Sequence, residues 1–169
     1  MKALKIAGLV VLALVAVVVV IGLILPKEVS TERSIVIDAP KDVVFAQLAN
    51  LEAMQSWSPW AERDPNAEMS YEGTPGAVGS SMSWKGNKEM GSGTQEIVAV
   101  EEGKRIDTKL KFFEPMESEA DAWLVLDEVE GGTKVTWGLR TGTPFPVNIM
   151  MQMIGMKKSI NNDFDNLYQ

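Results

Sequence analysis

The sequence predicts an α+β protein: a curved antiparallel sheet of about seven strands closed by one long C-terminal helix and preceded by one transmembrane helix. Three observations carry this. Residues 6–25 form an uninterrupted apolar run. Between Met69 and Leu139 apolar and polar residues alternate with period two. From Ile149 to Leu167 large apolar residues recur at spacings of three and four.

The run IAGLVVLALVAVVVVIGLIL has no charge and no strongly polar side chain. As a helix it spans roughly 30 Å, the hydrocarbon thickness of a bilayer, and satisfies its own backbone hydrogen bonds there. A cleaved secretory signal has an apolar stretch of about 7–15 residues and an A-x-A-like site. This run is longer and ends Ile24-Leu25-Pro26, so it reads as an uncleaved signal-anchor. The expected division is 1–26 for the anchor and 27–169 for one folded domain. Lys2 and Lys5 precede the run and favour an N-terminus inside the cytoplasm. Lys27, Arg33 and Lys41 follow it, so counting basic residues alone does not set the orientation. The expected location is the cytoplasmic membrane, single-pass, with the domain outside (periplasmic in a Gram-negative cell).

Beyond the anchor, Ser34-Ile35-Val36-Ile37-Asp38 reads as a short first strand. About four to eight residues then separate it from Leu25, a reach of at most about 26 Å. Ala39-Pro40-Lys41-Asp42 opens a helix with proline in its first turn, continued through Val43, Val44, Ala46, Leu48 and Leu51 to about residue 55. The loop Trp57-Ser58-Pro59-Trp60 follows. Met82 and Trp84 then share one strand face. Further on, Ile106, Thr108, Leu110 and Phe112 alternate with Asp107, Lys109, Lys111 and Phe113. Ala122, Leu124 and Leu126 alternate with Asp121, Trp123 and Val125, and Val135, Trp137 and Leu139 with Lys134, Thr136 and Gly138. Gly73–Gly79, Gly86-Asn87, Gly91-Ser92-Gly93, Glu102-Gly103 and Gly131-Gly132 are read as turns. After Pro144-Phe145-Pro146, the residues Ile149, Met153, Met156, Ile160, Phe164 and Leu167 give an amphipathic helix of about six turns, with Gly155 as a candidate kink. Its stripe needs cover, and the sheet is the large apolar surface available.

All 23 acidic residues follow the apolar run, whereas Lys2 and Lys5 of the 16 basic residues precede it. The domain is therefore more acidic than the whole chain at −7. Such a surface suits neither nucleic acid nor anionic lipid headgroups. The basic pairs Lys157-Lys158 and Lys109/Lys111 read as solvated faces. With no cysteine, disulfides say nothing about compartment. With no histidine either, the commonest general base and the strongest neutral-pH nucleophile are missing. A base would have to be Glu96, Asp107, Glu117 or Tyr71, each read first as a solvated strand or loop residue. No spacing suggests a metal site, and no cofactor is expected.

Several segments carry a resemblance: Ser34-Ile35-Val36-Ile37-Asp38-Ala39-Pro40, Trp57-Ser58-Pro59-Trp60, Ser83-Trp84-Lys85-Gly86-Asn87, Gly91-Ser92-Gly93, Phe112-Phe113-Glu114-Pro115 and Gly132-Thr133-Lys134-Val135-Thr136-Trp137. In this order, over residues 29–168, they resemble the START/Bet v1-like (SRPBCC) superfamily, in its polyketide cyclase/dehydrase-type branch. The resemblance implies a helix-grip fold with a cavity between sheet and C-terminal helix, holding an apolar or amphipathic small molecule or lipid. Relatives commonly end that helix in a Gly-Leu-x-x-Leu-like tail, which Asn166-Leu167-Tyr168-Gln169 does not reproduce. The lining expected here is Trp60, Met82, Trp84, Leu110, Phe112, Leu124 and Trp137, faced by Met150, Met153 and Met156. Thioethers and aromatics on an inward face also make ordinary core. The expected function is a membrane-anchored binder of a hydrophobic molecule, without catalysis. The alternatives are a cyclase/dehydratase-like enzyme, which would need a buried, pKa-shifted carboxylate, and an interaction module whose groove is filled by its own side chains. Ligand identity and oligomeric state are not legible.

Overall fold

The computed structural model describes residues 2–56, 58 and 64–153. Helix α1 (Lys2–Ile24) contains the apolar run and leads into strand β1 (Glu28–Ile37). Two short helices follow, α2 (Lys41–Ala49) and α3 (Leu51–Gln55). Six strands then run without a helical break: β2 (Glu68–Glu72), β3 (Ser81–Lys85), β4 (Ser92–Glu101), β5 (Arg105–Glu114), β6 (Ser118–Val129) and β7 (Gly132–Gly142). Helix α4 (Val147–Met153) closes the described part.

The strands form one seven-stranded antiparallel sheet in the order β1-β7-β6-β5-β4-β3-β2. Each hairpin joins spatial neighbours, and the first strand returns to pair with the last. The expected α+β class and strand number hold. Some boundaries do not. Strand β1 begins at Glu28, six positions before the β-rich segment Ser34–Asp38, because pairing with β7 extends it through a mostly polar stretch that includes Glu28, Ser30, Glu32 and Arg33. Only Pro26 and Lys27 therefore stand between Leu25 and the sheet, not a tether of four to eight residues. The expected single helix through residue 55 is two. At Asn50 the backbone turns extended, and the Asn50 side chain caps α3 by accepting from Glu52 and Ala53 N–H at 3.0 and 3.2 Å. Pro40 sits at the N-cap of α2 rather than inside its first turn. Ser92 and Gly93 belong to β4, so that turn ends at Gly91. Of the long C-terminal helix the first turns are seen as α4; the expectation for residues 154–169 lies outside the described residues.

Cross-strand partners in an antiparallel sheet point to the same side, so the register assigns each face. One face carries Ile35 and Val135, Leu126 and Leu124, Ile106 and Ile97, then Met82. Helices α2 and α3 cover this part, adding Val44, Leu48, Leu51 and Met54 to a single buried cluster. Burying side chains of this size stabilises by roughly 1.5–3 kcal/mol each. The buried Thr133 hydroxyl donates to the Ala39 carbonyl at 2.8 Å and pins the entry of α2 to β7.

The opposite face is ionic. Arg105 chelates Asp107 at 2.7–3.0 Å, Lys109 meets Glu119 at 3.1 Å, and Arg140 bridges Glu28 and Asp121 at 3.2 and 3.3 Å. Trp123 lies across Gly138, where any Cβ would strike its indole, and donates Nε1–H to Glu32 at 2.9 Å. The sheet thus places its ion pairs outside and its buried hydrocarbon cluster inside.

Candidate functional site: the inner face of the sheet

The α2–α3 pair covers one end of the inner face. Toward the other end, nearer the start of β1 and the end of β7, the same face continues through Trp84, Gly93 and Phe112 in one row, with Gln95 opposite Leu110 and Arg33 opposite Trp137 in others. Trp84 and Phe112 meet edge to face, centroids 5.7 Å apart and planes at 72°. Gly93 between them makes this possible: a Cβ there would run into the Trp84 ring. A glycine inside a strand here marks an aromatic crossing its backbone.

Among the residues expected to line a cavity, Leu110 and Phe112 are half-buried on this face and stand outside the buried cluster. Trp84 and Trp137 pack against the edge of that cluster. Met82 and Leu124 lie within it and serve the core, 8 % and 5 % exposed. Met150, on α4, is 45 % exposed. Trp60 and the side chain of Met153, like Met156, lie outside the described residues.

Sequence reading missed the polar groups of the groove. Arg33 is on the inner face by register, half-buried, and donates to the Glu32 carbonyl at 2.9 Å. Buried Gln95 donates to the Thr108 hydroxyl at 3.2 Å, which satisfies a polar pair in the middle of the face. Thr31, on the same side as Arg33, is buried as well. Extending the β1 alternation backward from Ile37 and Ile35 reaches Arg33 and Thr31; stopping that strand at Ser34 hid them.

The residues weighed as bases are scattered. Glu96 pairs with Lys109 on the outer face, Asp107 is held by Arg105 there, and Glu117 lies on the exposed β5–β6 turn. Tyr71 shares the inner face with Met82, 39 % exposed. Partial burial, with the nearby charge of Glu52 adding to it, pushes its phenol above the ordinary value. Among the described residues no group of three or more His, Cys, Asp or Glu is arranged to hold a metal ion. An open hollow of about 580 Å³ beside Asp38, Lys41, Glu128 and Glu130 lies at the far end of the sheet, away from the groove.

The seven-stranded antiparallel sheet with helices has counterparts of the same fold among solved structures. Protein Mll3558 of Rhizobium loti superposes with a TM-score of 0.58 at 14 % identity, covering 83 % of this chain and 96 % of that one. A protein of Rhizobium leguminosarum gives 0.57 at 15 %, covering 83 % and 92 %. Protein MLL2253 of Mesorhizobium loti gives 0.54 at 18 %, covering 83 % and 93 %. At these identities the likeness is one of fold. None of the curated proteins compared matches this chain. The family model described as "Polyketide cyclase / dehydrase and lipid transport" matches residues 28–169, and the chain belongs to that family.

Proposed function

We propose that this protein is a membrane-anchored binder of a hydrophobic small molecule or lipid, acting without catalysis. The observation that carries the reading is the division of the sheet: Trp84, Leu110, Phe112 and Trp137 on one face, the ionic pairs on the other. The family's description, which includes lipid transport, supports it. The scattering of the carboxylates favours binding over cyclase-type chemistry. Residues 27–169 form the binding domain, and α1 is the anchor. That helix is long and apolar enough to cross a membrane, and 6 % of its span is buried within the protein, as expected of a surface reserved for lipid. The Lys2/Lys5 start favours a domain outside the cytoplasm. Arg33 beside Trp137 suits an amphiphile with an anionic head and an apolar tail.

The test is titration of the full chain in detergent-free nanodiscs with fatty acids, lysophospholipids and polycyclic aromatics. Trp fluorescence and thermal unfolding are the readouts. A ligand at about a hundred times its Kd should stabilise by about 2.7 kcal/mol. Leu110→Gln should weaken binding tenfold or more, about 1.4 kcal/mol, with little change in the unfolding of the free protein. Leu126→Ala, in the core, should instead cost about 2–5 kcal/mol of stability. If no apolar class shifts either signal, the groove is self-filled and an interaction module takes the place of this reading.

A further inference from the structure

The end of the apolar helix is seated on the folded domain. Helix α1 stops at Ile24, so the carbonyl of Gly22 has no partner within its own helix. Asn148, 1 % exposed on α4, donates its side-chain N–H to that carbonyl at 2.6 Å. A Cβ at Gly22 would lie 2.7 Å from both Ile149 Cδ1 and Phe145 Cδ2. Glycine therefore lets these side chains close onto the helix backbone. One residue pair further along, Thr143 N–H donates to the Lys27 carbonyl at 2.7 Å, with Thr143 1 % exposed. The link between helix and sheet is thus tied on both sides of Pro26.

This seat fixes which end of the sheet faces the bilayer. Gly22 lies two residues inside the end of α1, about 3 Å below it. The side chains packed on Gly22 are then level with the last apolar turn. At the same end lie the β5–β6 turn and the start of α4. Outside α1, the exposed phenylalanines and methionines among the described residues are Phe113 at 49 %, Met116 at 43 %, Phe145 at 42 % and Met150 at 45 %, and all four occupy this end. Exposed large apolar residues elsewhere are valines and Tyr71. The opposite hairpin, Glu130-Gly131, is a full length of β7 away, about 35 Å.

We infer that the rim formed by Phe113, Met116, Phe145 and Met150 rests on the bilayer that α1 crosses, held there by the Gly22–Asn148 seat, so that the groove's open end receives its ligand from the membrane. This rests on the reading of α1 as a membrane span. The occupant is the lipid surface, because the rim is continuous with the apolar helix through Gly22, Phe145 and Ile149.

The chain has no cysteine, so single labels are clean. Full-length Val15→Cys, Met116→Cys, Met150→Cys and Glu130→Cys variants are spin-labelled in phosphatidylcholine vesicles. Collisions with oxygen and with a water-soluble nickel complex are compared. Labels at 15, 116 and 150 should meet oxygen more often, and the label at 130 the nickel complex. Adding Gly22→Leu should move the label at 150 toward the values at 130 and leave 15 unchanged. A lipid-buried 15 with aqueous 116 and 150 overturns the docked rim alone. An aqueous 15 overturns the membrane span and this inference together. If Gly22→Leu leaves 150 in lipid, the seat does not hold the rim.

Discussion

Arg33 shows how far a single side chain can specify a ligand. It is a charged residue on the edge strand β1, on the inner face beside Trp137, where the neighbouring rows carry aromatics, aliphatics and the bonded Gln95–Thr108 pair. Guanidinium presents a planar fork that matches a carboxylate or phosphate. Arg33→Gln should therefore lower affinity for a fatty acid tenfold or more while leaving a neutral alcohol of equal chain length within about twofold, about 0.4 kcal/mol. Equal losses for both would show that Arg33 acts through packing. Tyr71 gives a second expectation. Its folded-state pKa lies above the ordinary 10.0, through burial first and Glu52 second. The neutral phenol is therefore favoured on folding, so its contribution is complete below about pH 10 and is lost as pH rises through the folded value. Lys109 is raised from 10.5 by its bond to Glu119 and acts in the same direction. Thermal unfolding followed from about pH 9 to 11 should show a falling midpoint, with a shallower fall in Tyr71→Phe. An unchanged slope would remove Tyr71 from the account.

Among the elements, the strands between Met69 and Leu139 were the most legible, because half-buried antiparallel strands write their period directly into the sequence. The inward parity of Trp84, Phe112 and Trp137 comes from that period. The hidden features were set by pairing or by a single polar contact. The polar half of β1 becomes strand because β7 lies beside it, and α2 ends because Asn50 turns extended to cap α3. The division of the inner face into core and groove was also hidden, since α2 and α3 decide which residues they cover. The start of α4 is joined to the rest through Phe145, Asn148 and Ile149. From Ile149 to Leu167 the sequence pattern predicts an amphipathic stripe of six large apolar residues, most of it outside the described residues. If that stripe is buried, at roughly 1.5–3 kcal/mol for each side chain, it rivals a domain's net stability of about 5–15 kcal/mol. A chain ending at Thr143 should accordingly lose its cooperative unfolding in detergent in which the full chain retains it. Retention at nearly the parent midpoint would show that the sheet and α2–α3 suffice.

The whole molecule joins an acidic, outward-charged sheet to an apolar helix through Leu25, Pro26 and Lys27. If α1 is an anchor with its lysines inside, the protein should resist alkaline carbonate extraction. A C-terminal alkaline phosphatase fusion should then be active, and a cytoplasmic reporter at the same position silent. The reverse pattern would invert the topology without touching the fold. The pairing of β1 with β7 bears on how such a chain assembles. Its partners are distant in sequence; Ser34 and Thr136, whose hydroxyls meet at 2.8 Å, are 102 residues apart. During synthesis β1 emerges directly behind α1, and its partner β7 is the last of the seven strands to follow. At about 5–20 residues per second the ribosome leaves β1 waiting for seconds to tens of seconds as an unpaired edge. Its charged residues, Glu28, Glu32 and Arg33, make it a poor template for a stray strand during that interval. The same residues that obscure β1 in the sequence thereby guard the nascent chain until β7 arrives.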